Sequence, residues 1–136
     1  MPAVALALLV VLTLAGTPVR AEHEVHYRYV VLGFVTDARG RPVSGRQLEL
    51  IRDKTGFSYL AQTDAKGFFL IMARLGDESV GEALTLKAGK VVTRLTAVFD
   101  PTNHTDHRGA RVDLEGERFI ERSAGFRATL HNALAP

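Results

Sequence analysis

The chain has 136 residues, enough for one domain with a single modest core. It carries 17 Lys and Arg against 15 Asp and Glu, a net charge of +2, with the basic residues scattered rather than striped, which argues against a nucleic-acid partner. It has no cysteine, so disulfides, thiolate metal sites and thiol nucleophiles are excluded.

Ala3 to Ala15 is almost wholly Ala, Val and Leu, a run too short and too rich in small residues for a membrane span. Gly16 and Pro18 break it, and Val19-Arg20-Ala21 places small residues where a signal peptidase reads. Residues 1–21 therefore read as a signal peptide cleaved after Ala21, although no Lys or Arg precedes the apolar run. The alternative is a retained N-terminal anchor. Either way residues 22–136 are expected outside the cytoplasm, periplasmic or extracellular, with no stable span once the leader is removed.

The rest reads as short strands punctuated by turns. Tyr27 to Thr36 is β-branched and aromatic, and Asp37 to Gly40 is a turn. Gln47 to Arg52 alternates polar and apolar, and Asp53 to Gly56 is a second turn. Phe57 to Thr63 and Phe68 to Ala73 flank Asp64-Ala65-Lys66-Gly67, which predicts a hairpin. Leu75 to Gly81 is a polar loop. Glu82 to Lys87 and Lys90 to Phe99 predict another hairpin about Ala88-Gly89. Asp100 to Gly109 is a long polar loop, and Ala110 to Leu114 is a short strand. Ser123 to Leu134 suits a short C-terminal helix, with Ser123 as its N-cap and Phe126, Leu130 and Leu134 on one face. Turns about every ten residues favour an all-β, antiparallel two-sheet sandwich of about seven strands. The expected core is Val31, Val35, Leu48, Leu50, Phe68, Leu70, Leu84, Leu86, Leu95 and Val98.

The segment Val31-Leu-Gly-Phe-Val-Thr-Asp37, then Gly40, Pro42-Val43, Gly45, Leu48 and Leu50, then Thr63-Asp-Ala-Lys-Gly-Phe-Phe-Leu70, has a recognisable order. It resembles the carboxypeptidase regulatory-like domain, a transthyretin-like (prealbumin-like) β-sandwich family. The likeness spans about 40 residues and fixes two turns and three strands. Arg46 departs from it, since a small apolar residue often follows Gly45. The resemblance implies a non-catalytic module partnered with another protein, spanning 22–136. Gly33 should make room for a neighbouring strand, while Asp37 and Asp64 should bond the amides of their own turns.

No Gly-x-Ser-x-Gly elbow, phosphate loop, dinucleotide fingerprint or His-Glu-x-x-His occurs. Two enzyme groups share related architecture. Hydroxyisourate hydrolases end in Tyr-Arg-Gly-Ser, whereas this chain ends His131-Asn-Ala-Leu-Ala-Pro136. Intradiol dioxygenases hold iron with two Tyr and two His, and the spacing of Tyr27, Tyr29, Tyr59 and the histidines does not match. The remaining constellation is two His-x-x-His pairs, His23 and His26, and His104 and His107, each beside a carboxylate. Such groups suit Zn, Cu or Ni if each pair lies in irregular backbone; otherwise they are solvated residues. Two functions are therefore expected. The first is a cofactor-free binding or scaffolding module for another exported or membrane protein, betrayed by an exposed apolar patch or unpaired edge strand. The second is a periplasmic metal-binding protein, which needs His23, His26, His104 and His107 to converge.

Overall fold

A computed structural model describes residues 25–135. The expected leader with its cleavage point, and His23, lie outside them. Eight strands follow in order: β1 (Arg28–Thr36), β2 (Gln47–Arg52), β3 (Phe57–Gln62), β4 (Phe68–Arg74), β5 (Ala83–Ala88), β6 (Val91–Thr96), β7 (Arg108–Glu115) and β8 (Arg118–Glu121); then comes α1 (Phe126–Leu134). They form two four-stranded sheets, ordered β4-β1-β7-β8 and β3-β2-β5-β6. The all-β two-sheet sandwich with a short C-terminal helix is thus the fold. Pairings are antiparallel except β1 with β7, which is parallel.

The turns follow from their residues. Asp37 Oδ1 accepts the amides of Arg39 and Arg41, and Asp64 Oδ1 accepts those of Lys66 and Phe68. Gly33 lies where β1 approaches β7 so closely that a Cβ would clash with the Val112 carbonyl oxygen. Thr63 is buried, donating to the Val43 carbonyl and accepting from the Arg46 amide. Arg46, the residue that departs from the family pattern, donates its guanidinium to the Ala88 carbonyl at the end of β5.

Asp64 to Gly67 is not a hairpin loop. The Thr63 amide bonds Arg46 on the β2 side, while the Gly67 carbonyl accepts from Val35 of β1. The turn therefore carries the chain from one sheet to the other, because the strands on either side find better partners far away in sequence. β8 was not expected from the sequence; it closes a two-residue hairpin over Gly116, at φ 63°, with Glu115 opposite Arg118.

The main core lies between the sheets. Val31, Val35, Leu48, Leu50, Leu84, Leu86 and Leu95 are buried there as expected. Phe68, Leu70 and Val98 are not. In β4 it is Phe69, Ile71 and Ala73 that point inward. Both faces of Phe-Phe-Leu-Ile-Met-Ala are apolar, so alternation alone does not choose between them. Phe68 and Leu70 instead pack, half-buried, against a second cluster of Val30, Leu32, Phe126 and Leu130 beneath α1. Val98 is 72% exposed, since Leu95 and Ala97 point inward and a residue three beyond Leu95 must point out.

The C-terminal helix is shorter than expected. Ser123 to Gly125 form a 3-10 turn, the N-cap is Gly125 rather than Ser123, and Leu134 is 63% exposed. The Thr129 hydroxyl donates to the Gly125 carbonyl in the first turn.

Candidate functional site

Three features outside the core hold the chemistry-bearing residues. The first is at the end of the sandwich where the 3-10 turn Val25–Tyr27 meets two loops. Its centre is Arg108, the first residue of β7 and only 4% exposed. Its guanidinium donates to the carbonyls of His26 (3.0 Å), Asn103 (3.1 Å) and Pro101 (3.4 Å) and to Asp77 Oδ1 (2.8 Å). It also lies 4.2 Å above the Phe99 ring. A buried cation is tolerated only with such compensation. Arg108 above all, with His104 second, holds the Asp77 carboxyl below its usual range.

His104 Nε2 is 2.8 Å from Asp77 Oδ2, and the His104 ring stacks on His26 with centroids 4.0 Å apart. The structure therefore brings together His26 and His104, one from each expected pair. His107 instead lines, with Asp106, Phe126 and Arg127, a cavity of about 320 Å³ that adjoins Arg108 and Asn103. Among the described residues no three His or carboxylate side chains converge as a metal-holding group. Stacked imidazoles present ring faces to one another, whereas a metal needs their in-plane nitrogens.

The second feature is a charge network on the outer face of the first sheet. The Asp113 side chain is 5% exposed and is held by Arg111 (2.9 Å) and Arg122 (2.6 Å). Its Oδ1 also accepts the Phe34 amide at 3.0 Å, standing in for a backbone acceptor beside Gly33. Burial alone would raise the Asp113 carboxyl, but these donors together outweigh it and the net shift is downward. Arg111 is also tied to Thr129 of α1. With its donors spent inside the fold, this network is read as structural.

The third feature is the edge where β3 and β4, outermost in their sheets, run past one another. β3 reads Phe-Ser-Tyr-Leu-Ala-Gln and holds no charge and no proline. The other edge strands each hold charge: Arg74 in β4, Arg94 in β6, Arg118 and Glu121 in β8. Phe57 is 61% exposed, Leu60 62% and Met72 45%. A groove of about 920 Å³ runs here, lined by Arg52, Phe57, Ser58, Tyr59, Met72 and Arg74 among others. The Phe57 and Tyr59 rings meet edge-on at 5.0 Å, and the Tyr59 hydroxyl accepts the Arg74 amide at 3.1 Å. Arg52 is occupied by Glu82 through two bonds of 2.7 Å, which hold Glu82 down to about 2.

Neither a protein-family model nor a curated protein matches the chain. Among solved structures it is similar to the dioxygenase domain of a dioxygenase carbohydrate-binding protein fusion from the cellulolytic bacterium Streptomyces sp. SirexAA-E, at 21% identity and TM-score 0.45, over 65% of this chain and 79% of that one. It is also similar to (S)-allantoin synthase, at 14% identity and TM-score 0.46, over 73% of this chain and 44% of that one. No activity is carried over from either. Of the tyrosines weighed for iron, Tyr29 is buried with its hydroxyl 3.5 Å from the Thr96 carbonyl, Tyr59 serves the edge, and Tyr27 lies beside His26.

The sequence pointed to the histidines and missed Arg108, Asp113 and the β3 edge. A buried arginine has no local signature. The edge did have one: a six-residue segment without charge or proline between two turns.

Proposed function

We propose that the chain is an exported, non-catalytic binding domain of the carboxypeptidase regulatory-like, transthyretin-like kind, and that it associates with another periplasmic or membrane protein through the β3 edge. The kinship is supported by what the shared residues do: Gly33 admits β7, Asp37 and Asp64 close turns, Thr63 locks the end of β3 to the 43–46 segment, and Gly40 and Gly67 adopt positive φ. The single observation that carries the function is the uncharged, apolar β3 edge. Exposed strands are ordinarily blunted by charge, proline or brevity, and β3 has none of these defences. An unpaired strand of this kind offers backbone donors and acceptors to an incoming strand and apolar side chains to its alternate residues.

A photo-crosslinking residue at Ser58, in cells producing the full chain, tests this. The expected product is one covalent adduct of discrete mass, absent when the crosslinker is at Arg94 on β6 and lost when Leu60→Lys is added. No adduct from position 58, or the same adduct from position 94, overturns the reading.

The second reading is metal binding by the histidine pairs, favoured only by the contact of His26 with His104 beside Asp77. Calorimetric titration with Cu, Ni and Zn on the native chain and on a His104→Ala, His107→Ala double variant decides it. Equal heats in both, or none in either, end it.

A further inference from the structure

The β3 edge adjoins a second anomaly. Arg28 of β1 and Arg74 of β4 are directly opposite in the antiparallel register. Both fall on the outer face, in step with Val30 and Leu32 on one strand and Met72 and Leu70 on the other. Like charges in that position repel. Among the described residues neither guanidinium takes part in an ion pair, whereas Arg52, Arg108, Arg111, Arg122 and Arg127 all do. α1 covers Phe68 and Leu70 but leaves Met72 and Arg74 exposed. Arg74 also lines the β3 groove with Phe57, Tyr59 and Met72, so its charge and the apolar edge are one continuous surface.

Resting on the binding-domain reading, we propose that the partner segment is an acidic extended polypeptide. Its backbone pairs with β3. One apolar side chain sits on Phe57, Tyr59 and Met72, and a carboxylate side chain is held by Arg28 and Arg74. Guanidinium groups favour carboxylates through paired N–H donors, and relief of the Arg28–Arg74 repulsion adds to the affinity. A second copy of this chain fits less well, because its β3 carries no carboxylate. A lipid surface could satisfy the arginines but has no backbone to match the strand edge.

The probes are two capped eight-residue peptides, one alternating Val and Phe with Glu, the other carrying Lys in place of Glu. Each is titrated into the full chain by fluorescence anisotropy, with amide chemical shifts mapped alongside. The Glu peptide is expected to bind at least about ten-fold more tightly than the Lys peptide and to shift β3, Arg28 and Arg74. Added salt should narrow that difference. Arg74→Glu, on an exposed position, should reverse the preference, and Arg28→Gln should weaken it. Leu60→Lys should weaken both peptides.

Equal affinity for the two peptides refutes the acidic partner while leaving a β3 edge that binds strands. No binding of either, with the Ser58 adduct still formed, also refutes it and keeps the binding-domain reading. Binding of phosphatidylglycerol vesicles without peptide binding, or a β3-paired homodimer that excludes peptide, replaces the proposed partner with a lipid or a second copy. Loss of the Ser58 adduct removes the underlying reading itself.

Discussion

Gly33 and Glu82 show how single residues hold this sandwich. At Gly33 an added methyl would meet the Val112 carbonyl, which belongs to the backbone of β7 and cannot swing aside. Gly33→Ala should therefore force β1 and β7 apart and cost more than about 3 kcal/mol by urea unfolding, well above a typical surface change. Glu82 is pinned by Arg52, and its carboxyl is held at about 2 against an ordinary 4.5. Because the folded value is the lower one, the contribution is complete above about 4.5 and fades as pH falls toward 2. Asp77 and Asp113 are shifted in the same direction. Glu82→Gln should cost about 1–3 kcal/mol at neutral pH. Its gap from the native chain should close as acid is added, and a gap that stays constant between pH 7 and pH 2 would contradict this assignment. The turn residues were legible in the sequence because their roles are local: an Asp side chain two and four residues from the amides it bonds, a glycine where φ must be positive. Asp113 was not, because its partners Phe34 and Arg122 are remote in the chain or meaningful only once β7 is paired.

Strands and the helix differ in how much of their role they announce. Alternation in β2 and β5 located Leu48, Leu50, Leu84 and Leu86 correctly, since polar residues (Gln47 and Glu49, Thr85 and Lys87) mark the opposite face of each strand. β4 is apolar on both faces, and only its ladder with β1 decides that Phe69 enters the core and Phe68 lies under the helix. Phe69→Ala should accordingly cost about 3–5 kcal/mol, the loss for a fully buried ring, and Phe68→Ala clearly less. Equal losses would mean the faces are exchanged. α1 is the lid on the second cluster, with Phe126 also lying over Gly109. Removing residues 123–136 should leave the two-sheet core folded by circular dichroism. It should also uncover Val30, Leu32, Phe68 and Leu70, seen as new binding of a hydrophobic dye and as self-association. The hairpin expected at Asp64 to Gly67 failed for the same reason as the β4 faces: partner choice is made by hydrogen bonds from Val35 and Arg46, not by the loop itself.

For the molecule as a whole, the class of fold could be read from turn spacing, but which strands would lie at the sheet edges could not. The histidines drew attention as a chemical type. The structure stacks His26 on His104 while His107 lines a cavity beside Arg108, and it is the sheet order that makes β3 outermost. That same order bears on how the chain reaches its native state. β1 is the second strand of its sheet, and its parallel partner starts at Arg108, so Tyr29 must find a residue that is synthesised long after it. Local hairpins such as β2–β3 and β5–β6 can form early, but the β1–β7 seam waits for nearly the full length. Such long-range closure slows folding, since loop entropy is spent before contacts reward it. A chain ending at Asn103 would hold six of the eight strands and still lack half of one sheet. It should remain sensitive to protease, whereas the full chain resists. Until β7 arrives, then, the nascent polypeptide stays loose, and it becomes rigid only once nearly all of it has been made.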